Sequence, residues 1–355
     1  MSASPDIGDR KFVVPFLAIL TVIAVGAVLK VAQSVVLPLM IAWLLSYILG
    51  PAINTLARRK VPTGLATIFI LTILFVIIYL IGFFLKERVV DIAGEYSKYE
   101  DILNQVSQKV QGKWEIADKL FKEVEWTKWI GLQMANAAGT GFSFVKHLFM
   151  VIIYLVFLLL GKPFFKYKLL KALDASRAKR VDSIVSAIAG QISRYLYMQF
   201  LISFATGLCV WLALTIIKVD FAVTWGALAF ILNFIPIVGS IVASIPPILL
   251  AFIQYAPEES WWQGIAAALA LLSIQMVIGN GIAPKVLGDT LNLSPVVVLL
   301  SLIFWGWLWG IIGALLSIPI ASAIKIVCEN IEPLRPISIM MGSGKAYRHE
   351  FESAG

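Results

Sequence analysis

Asn233 stands three residues before Pro236 and six before Gly239, in the middle of an apolar run from Phe221 to Tyr255. An amide in that place either hydrogen-bonds a hydroxylated solute or caps backbone that Pro236 releases from helical bonding. Ser240 adds a hydroxyl beyond the break. Gln275 and Asn280 lie in the next segment, where Gly279 and Gly281 allow close approach; they line a path or tie helices together. Trp305, Trp307 and Trp309 flank Gly306 and Gly310, with Gly313 beyond, and are packing groups and boundary anchors or an aromatic lining. Lys285 and Asp289, on either side of Gly288, form a gating pair or a surface ion pair. Lys325 falls inside an apolar run near its end, where a long stem can carry the ammonium outward to the interface. Gln199 and Gln254 are weaker candidates. Such groups suit reversible binding of a small polar solute.

Bond-making chemistry has no visible home. The two cysteines, Cys209 and Cys328, form no disulfide framework or metal-ligand spacing, and the two histidines, His147 and His349, form no cluster. There is no Gly-x-x-x-x-Gly-Lys loop for a nucleotide and no Gly-x-Ser-x-Gly elbow for a hydrolase. The expectation is no enzyme, no cofactor and no metal site.

The elements that must position these polar groups are membrane segments. Of 355 residues, 60% are hydrophobic and only 14% charged, and mean hydropathy is +0.89, outside the range of soluble domains. Eight long windows carry few charges: Phe12 to Leu29, Val31 to Ala57, Val61 to Leu85, Gly141 to Gly161, Tyr195 to Ile217, Phe221 to Tyr255, Trp261 to Ala283 and Leu293 to Val327. The first is too long for a signal-peptide core, and the chain is expected to turn back at Lys30. The run Phe221 to Tyr255 exceeds the roughly 20 residues of one crossing, and Pro236, Gly239, Pro246 and Pro247 interrupt it. Backbone released at membrane depth persists only where protein or a wet cavity satisfies it, and transporters place solute sites at such breaks.

A repeat follows from the same residues. Ser244-Ile245-Pro246 recurs as Ser317-Ile318-Pro319, an offset of 317 − 244 = 73. Each triplet follows a glycine-containing break, and each broken segment follows a simple span. If each broken segment is a re-entrant hairpin, the second span-plus-hairpin pair crosses opposite to the first, as in inverted-repeat transporters. The expected class is an all-α polytopic membrane protein with about eight membrane segments, two of them broken hairpins.

Charge sets the orientation. Arg58, Arg59 and Lys60 form a short basic loop, which reads as cytoplasmic. Lys86 to Thr140 holds eight Lys/Arg against nine Asp/Glu and reads as external. Lys162 to Arg194 holds eight basic and two acidic residues, a net 8 − 2 = +6, and reads as cytoplasmic. The net charge of +8 therefore reflects topology rather than nucleic-acid binding. The resulting plan places three spans in 1–85, an external helical domain in 86–140, a fourth span in 141–161 and a basic interfacial helix in 162–194. A transport core fills 195–330, as units 195–255 and 261–327, and 331–355 is a cytoplasmic tail. The interfacial helix carries Val181, Ile184, Val185, Ile188 and Ile192 at helical spacing, with its cations facing lipid headgroups. Ile92, Tyr96, Tyr99, Leu103, Val106 and Val110 form a heptad stripe that caps the membrane domain or joins subunits. Trp114, Trp126 and Trp129 read as boundary anchors.

The segment Phe221-Ala-Val-Thr-Trp-Gly-Ala-Leu-Ala-Phe-Ile-Leu-Asn-Phe-Ile-Pro-Ile-Val-Gly-Ser240 resembles the signature of the autoinducer-2 exporter family. Ala283-Pro-Lys-Val-Leu-Gly288, the Leu293 to Gly313 stretch and Leu316-Ser-Ile-Pro319 resemble it too. The resemblance implies a bacterial inner-membrane permease-like protein, and the charge pattern places both termini in the cytoplasm. It also implies a homo-oligomer, a pentamer by analogy, working in the lipid bilayer. Members are associated with autoinducer-2 export and others with sodium–proton exchange. Many members carry an acidic residue where this chain has Ile278, so carboxylate-based coupling has no residue there. Three readings remain: an exporter of a small polar solute, a sodium–proton antiporter, and a non-transporting scaffold.

The charge asymmetry makes a direct prediction. A cysteine introduced at Gln111 reacts with an impermeant thiol reagent in intact cells, and one at Ser176 does not. The opposite labelling would invert the orientation.

Overall fold

A computed structural model describes residues 7–94, 126–235, 238–256, 260–287 and 292–344. Among these the chain is helical, with no strand. Apolar segments without water must satisfy every backbone group internally, and a helix does so within one segment. The helices are α1 (Ile7–Val31), α2 (Gln33–Arg58), α3 (Thr63–Gly94), α4 (Trp126–Ala172) and α5 (Ala175–Ile217). Then come α6 (Ala222–Leu232), α7 (Val238–Tyr255) and α8 (Trp262–Ile274), which continues through a π-helical stretch, Gln275–Ile282, into α9 (Ala283–Leu287). The chain closes with α10 (Pro295–Glu329) and α11 (Arg335–Met341).

Six of these segments are long and apolar enough to cross a membrane, against the eight expected: Gln33–Arg58, Thr63–Leu80, Ala175–Ile217, Val238–Tyr255, Trp262–Val286 and Pro295–Glu329. The long run at 221–255 divides between Leu232 and Val238, and its first piece, α6, has only 11 residues; Pro246 and Pro247, expected to interrupt it, lie inside the continuous helix α7. The heptad stripe from Tyr96 onward, Trp114, Pro236, Gly288 and Asp289 lie outside the described residues.

Three expectations change. At Lys30 the chain does not turn back along itself. A single residue, Ala32, joins α1 to α2, and the two helices touch only around that joint. Second, 162–194 is not a separate helix but the end of α4 and the start of α5, joined through Leu173 and Asp174. With 47 and 43 residues these helices are about 70 and 65 Å long, so both outrun a ~30 Å hydrocarbon core. Third, the apolar stripe at 181–192 does not simply face lipid. Ile188 and Ile192 are buried against α2 and α10, because helical spacing shows that a face is apolar without showing what covers it.

Packing divides into three apolar clusters. One joins α2, α3 and α4 through Ala42, Ile53, Ala66, Leu155 and Leu159. A second joins the first half of α5 to α2 and α10. The third joins the second half of α5 to α6, α7 and α8, through Leu214, Ala229, Ala251 and Leu271. Helix α5 thus belongs to two cores and carries a different partner at each end.

Those partners are chain reversals. Helix α6 runs back along α5, and the chain turns between Asn233 and Val238. Helix α7 then returns to the starting end, where the Tyr255 hydroxyl donates to the carbonyls of Ile217 (3.1 Å) and Lys218 (2.9 Å). In α10 the reversal falls at Gly310, whose φ of 65° and ψ of −146° interrupt the helix. Its arms, 295–309 and 311–329, lie together, and the Ser301 hydroxyl donates to the Ser317 carbonyl at 2.8 Å. The two reversals share one contact. A Cβ added to Gly239 would lie 2.7 Å from the carbonyl carbon of Leu232, and one added to Gly313 would lie 2.7 Å from that of Trp305. The paired positions are offset by 313 − 239 = 74 and 305 − 232 = 73, the spacing of the sequence repeat.

Substitution at these glycines is therefore costly. Gly313→Ala places a methyl group inside a backbone carbonyl, and Gly310→Ala forces a backbone conformation reserved for glycine; each is expected to destabilise by roughly 1–3 kcal/mol. Gly64→Ala, with open space around it in α3, is expected to be neutral or stabilising. Thermal unfolding in detergent ranks the three; equal midpoints would remove the steric account of the turns.

Candidate functional site

The tip of the first hairpin lies against the middle of α5. Close crossing makes this possible: a Cβ on Gly226 would sit 2.8 Å from the Gly207 carbonyl oxygen, so only hydrogen separates the α5 and α6 backbones there. One α5 face then presents Gln199, Ser203 and Thr206 at helical spacing to Asn233 at the end of α6.

The hydrogen bonds that follow are specific. Buried Gln199 donates its Nε2 to the Asn233 carbonyl at 2.7 Å. The Asn233 side chain donates Nδ2 to Ser203 Oγ at 3.1 Å and accepts from Ser240 Oγ at 3.5 Å. The Ser244 hydroxyl turns back to the Ser240 carbonyl at 2.8 Å, and Thr206 to Ile202 at 2.9 Å. Asn233 thus ties three elements together: its carbonyl to α5 through Gln199, its amide to α5 through Ser203, and its side-chain oxygen to the start of α7. The side chain of Asn233 meets hydroxyls and no backbone group, and the carbonyl freed at the break is completed by Gln199 instead.

Beside this network is a small cavity lined by Thr206, Asn233, Ser240, Ser244 and Gln275, with Val210, Ala229, Ala243, Leu271 and Ile274 as apolar walls. It leaves about 10 Å³ for the centre of a water molecule, room for about one water. Its lining is neutral, with hydroxyls and amides and no carboxylate. Gln275 opens the π-helical stretch, a geometry in which an extra residue widens one helical turn, and its amide folds over Gly279, where a Cβ would stand 3.0 Å from the amide carbon. Among the described residues the Gln275 amide makes no hydrogen bond, which leaves its donors and acceptor available.

The structure thus gathers Asn233, Ser240 and Gln275 at one place, with Gly239 forming the close turn behind them. It separates the others. Asn280 is exposed, its Nδ2 directed to Met276 Sδ at 3.4 Å. Lys285 is exposed, and its expected partner Asp289 lies outside the described residues, as does Pro236. Trp305, Gly310 and Gly313 belong to the second hairpin, which packs on the other half of α5, so no extensive contact joins the two breaks.

At that second tip the tryptophans pack. The Trp305 and Trp309 rings stand 4.8 Å apart, and Trp309 Nε1 donates to the Leu29 carbonyl at 3.2 Å. Lys30 donates to the freed Trp307 carbonyl at 3.1 Å while its ammonium lies 5.0 Å from the Trp307 ring centre. Ser203, Thr206, Ser244 and Lys30 escaped the sequence reading. The 199, 203, 206 and 240, 244 spacings were visible signals, since they place each set on one helix face; Lys30 had none.

The profile of the family described as AI-2E family transporter matches residues 17–332. A Haemophilus influenzae protein inferred to act in transport is 30% identical over 349 residues, covering 94% of this chain and 97% of its own length. The AI-2 transport protein TqsA of Escherichia coli K12 is 29% identical over 337 residues, 93% of this chain and 95% of that protein. The sodium-lithium/proton antiporter of Halobacillus andaensis is 26% identical over 335 residues, 88% and 93% of the two chains. With helices fit to cross a membrane, a polar cavity at a broken segment, and a family match over most of its length, this chain belongs to the AI-2E family of transporters.

Proposed function

We propose that this protein is a secondary transporter or facilitator that exports a small polar solute, with autoinducer-2 as the leading candidate. The observation that carries the reading is the neutral polar cavity between α5, the first hairpin and the π-helical stretch. Hydroxyls and amides at the end of broken backbone bind hydroxylated solutes by matched hydrogen bonds and disfavour hydrocarbons. The name of the TqsA relative, an AI-2 transport protein, supports that solute. Room for about one water describes a conformation closed around the site, so a solute of several heavy atoms enters only when the hairpin and α8 part.

In this reading the two reversals are re-entrant hairpins of an inverted repeat in a bacterial inner membrane, with both termini cytoplasmic. Their common glycine–carbonyl contact and the return of α7 to the end where α6 began support it. The protein works as a homo-oligomer, a pentamer by family analogy. Sodium–proton exchange, the activity in one relative's name, is ranked below: it calls for a carboxylate at depth, and the cavity lining has none.

Accumulation of autoinducer-2 in everted membrane vesicles, with and without an imposed proton gradient, tests the reading. Gln275→Leu removes a binding amide that braces nothing else, so it is expected to leave the protein inserted and to lower transport. A lost hydrogen bond of roughly 1–3 kcal/mol corresponds to about 5- to 150-fold. Transport by Gln275→Leu at the parental rate would eliminate the cavity as the site. Vesicles of the parental protein that accumulate no autoinducer-2 would eliminate that solute.

A further inference from the structure

The second arm of α10 carries a charge on its buried side. Lys325 is 6% exposed, and its Nζ lies 3.9 Å from a carboxylate oxygen of Glu329, whose own side chain is 59% exposed. At that separation the pair is an ionic contact and not a hydrogen bond. Among the described residues none of the three ammonium donors has an acceptor within bonding distance. The sequence suggested a side chain that reaches outward to the interface; the structure keeps it inside, on the arm that packs against α5.

One turn earlier on the same face, Ser322 is 1% exposed, and its hydroxyl has no hydrogen-bond partner. A helical serine or threonine ordinarily turns back to the carbonyl four residues earlier, as Ser244 and Thr206 do in this chain. Ser322 does not. The Ser322 hydroxyl is therefore buried without an acceptor, one turn from an ammonium held only by a long ionic contact, an arrangement that is unfavourable unless a partner completes it. The missing partner must accept hydrogen bonds and carry negative charge. Glu329 shows the chemistry: a carboxylate already stands at the edge of the site, too far away to bond. At the same end of α10 the Arg180 guanidinium donates to the Asn330 carbonyl, adding positive potential where the site opens to solvent.

We propose that Ser322 and Lys325 bind an oxyanion, a carboxylate or phosphate group, which displaces Glu329 from the ammonium and takes both free donors. Assigning that oxyanion to a transported solute rests on the transporter reading; the binding itself does not. It would narrow the solute to an anionic one held on the second hairpin, apart from the neutral cavity on the first. A lipid headgroup offers the same phosphate chemistry.

The test uses the full-length protein in phosphatidylcholine nanodiscs, with thermal unfolding followed by tryptophan fluorescence. Glycerol 3-phosphate is expected to raise the midpoint by roughly 2 °C or more, and glycerol at matched ionic strength is not. Lys325→Met is expected to abolish the rise and to unfold at a higher temperature than the parent, because it removes a buried charge that lacks acceptors. Lys325→Arg keeps the rise, and Ser322→Ala reduces it. In phosphatidylglycerol nanodiscs without soluble phosphate, a rise that Lys325→Met lacks would assign the oxyanion to lipid. A rise that persists in Lys325→Met, or no rise from either phosphate source, would overturn the site. So would Lys325→Met and Glu329→Gln both unfolding earlier than the parent, the mark of an ordinary structural ion pair. A positive result here beside failed autoinducer-2 transport would leave the oxyanion site standing and remove autoinducer-2 as the solute.

Discussion

Carbonyl groups released from helical bonding in an apolar interior must find donors, and the arrangement of this molecule follows from where those donors are. Each unmet group costs on the order of 1–3 kcal/mol, so a broken helix is tolerated only beside a side chain that completes it. At the first reversal the donor is neutral and buried: Gln199 on α5 serves the Asn233 carbonyl. At the second it is cationic and exposed: Lys30 at the end of α1 serves the Trp307 carbonyl. The two breaks obey one rule with different chemistry. The buried break is completed by a neutral amide, whereas the other is clamped by a charge.

That difference gives α5 its position. Its first half shares a core with α2 and α10, and its second half shares another with α6, α7 and α8. A helix continuous through both cores couples them, so a shift of the first hairpin against α8 is felt where the second hairpin packs. The Gly207–Gly226 crossing makes α5 and α6 move together, because backbones in such close contact have no side chains to slide over. The less constrained contact is between the hairpin and Gln275, where a π-helical turn leaves one amide without a bond.

Polar groups in the interior fall into two kinds. Asn233, Gln199 and Ser203 are completed by one another and hold the fold. Gln275, Ser322, Lys325 and Thr224 retain unused bonding capacity among the described residues.

The amino-acid order by itself determined the helical class, a break ahead of Gly239, another between Gly306 and Gly313 and the 73-residue offset of the Ser-Ile-Pro triplet, because these depend on local rules; it wrongly added a break at Pro246 and Pro247. Proline lacks a donor, glycine takes a positive φ without steric cost, and long apolar runs exclude water-bonded backbone. Asn233, Ser240 and Gln275, which line one cavity, were legible as polar candidates, since amides and hydroxyls are rare in such runs. Tertiary structure decided what each apolar or charged face meets. It placed Ile188 and Ile192 in a core, set the two breaks on opposite halves of α5, brought Lys30 to a carbonyl 277 positions away and kept Lys325 inside. Periodicity gives a face its character but not its neighbour. In a membrane protein lipid and protein interior are equally apolar, so only the packing of distant segments distinguishes them.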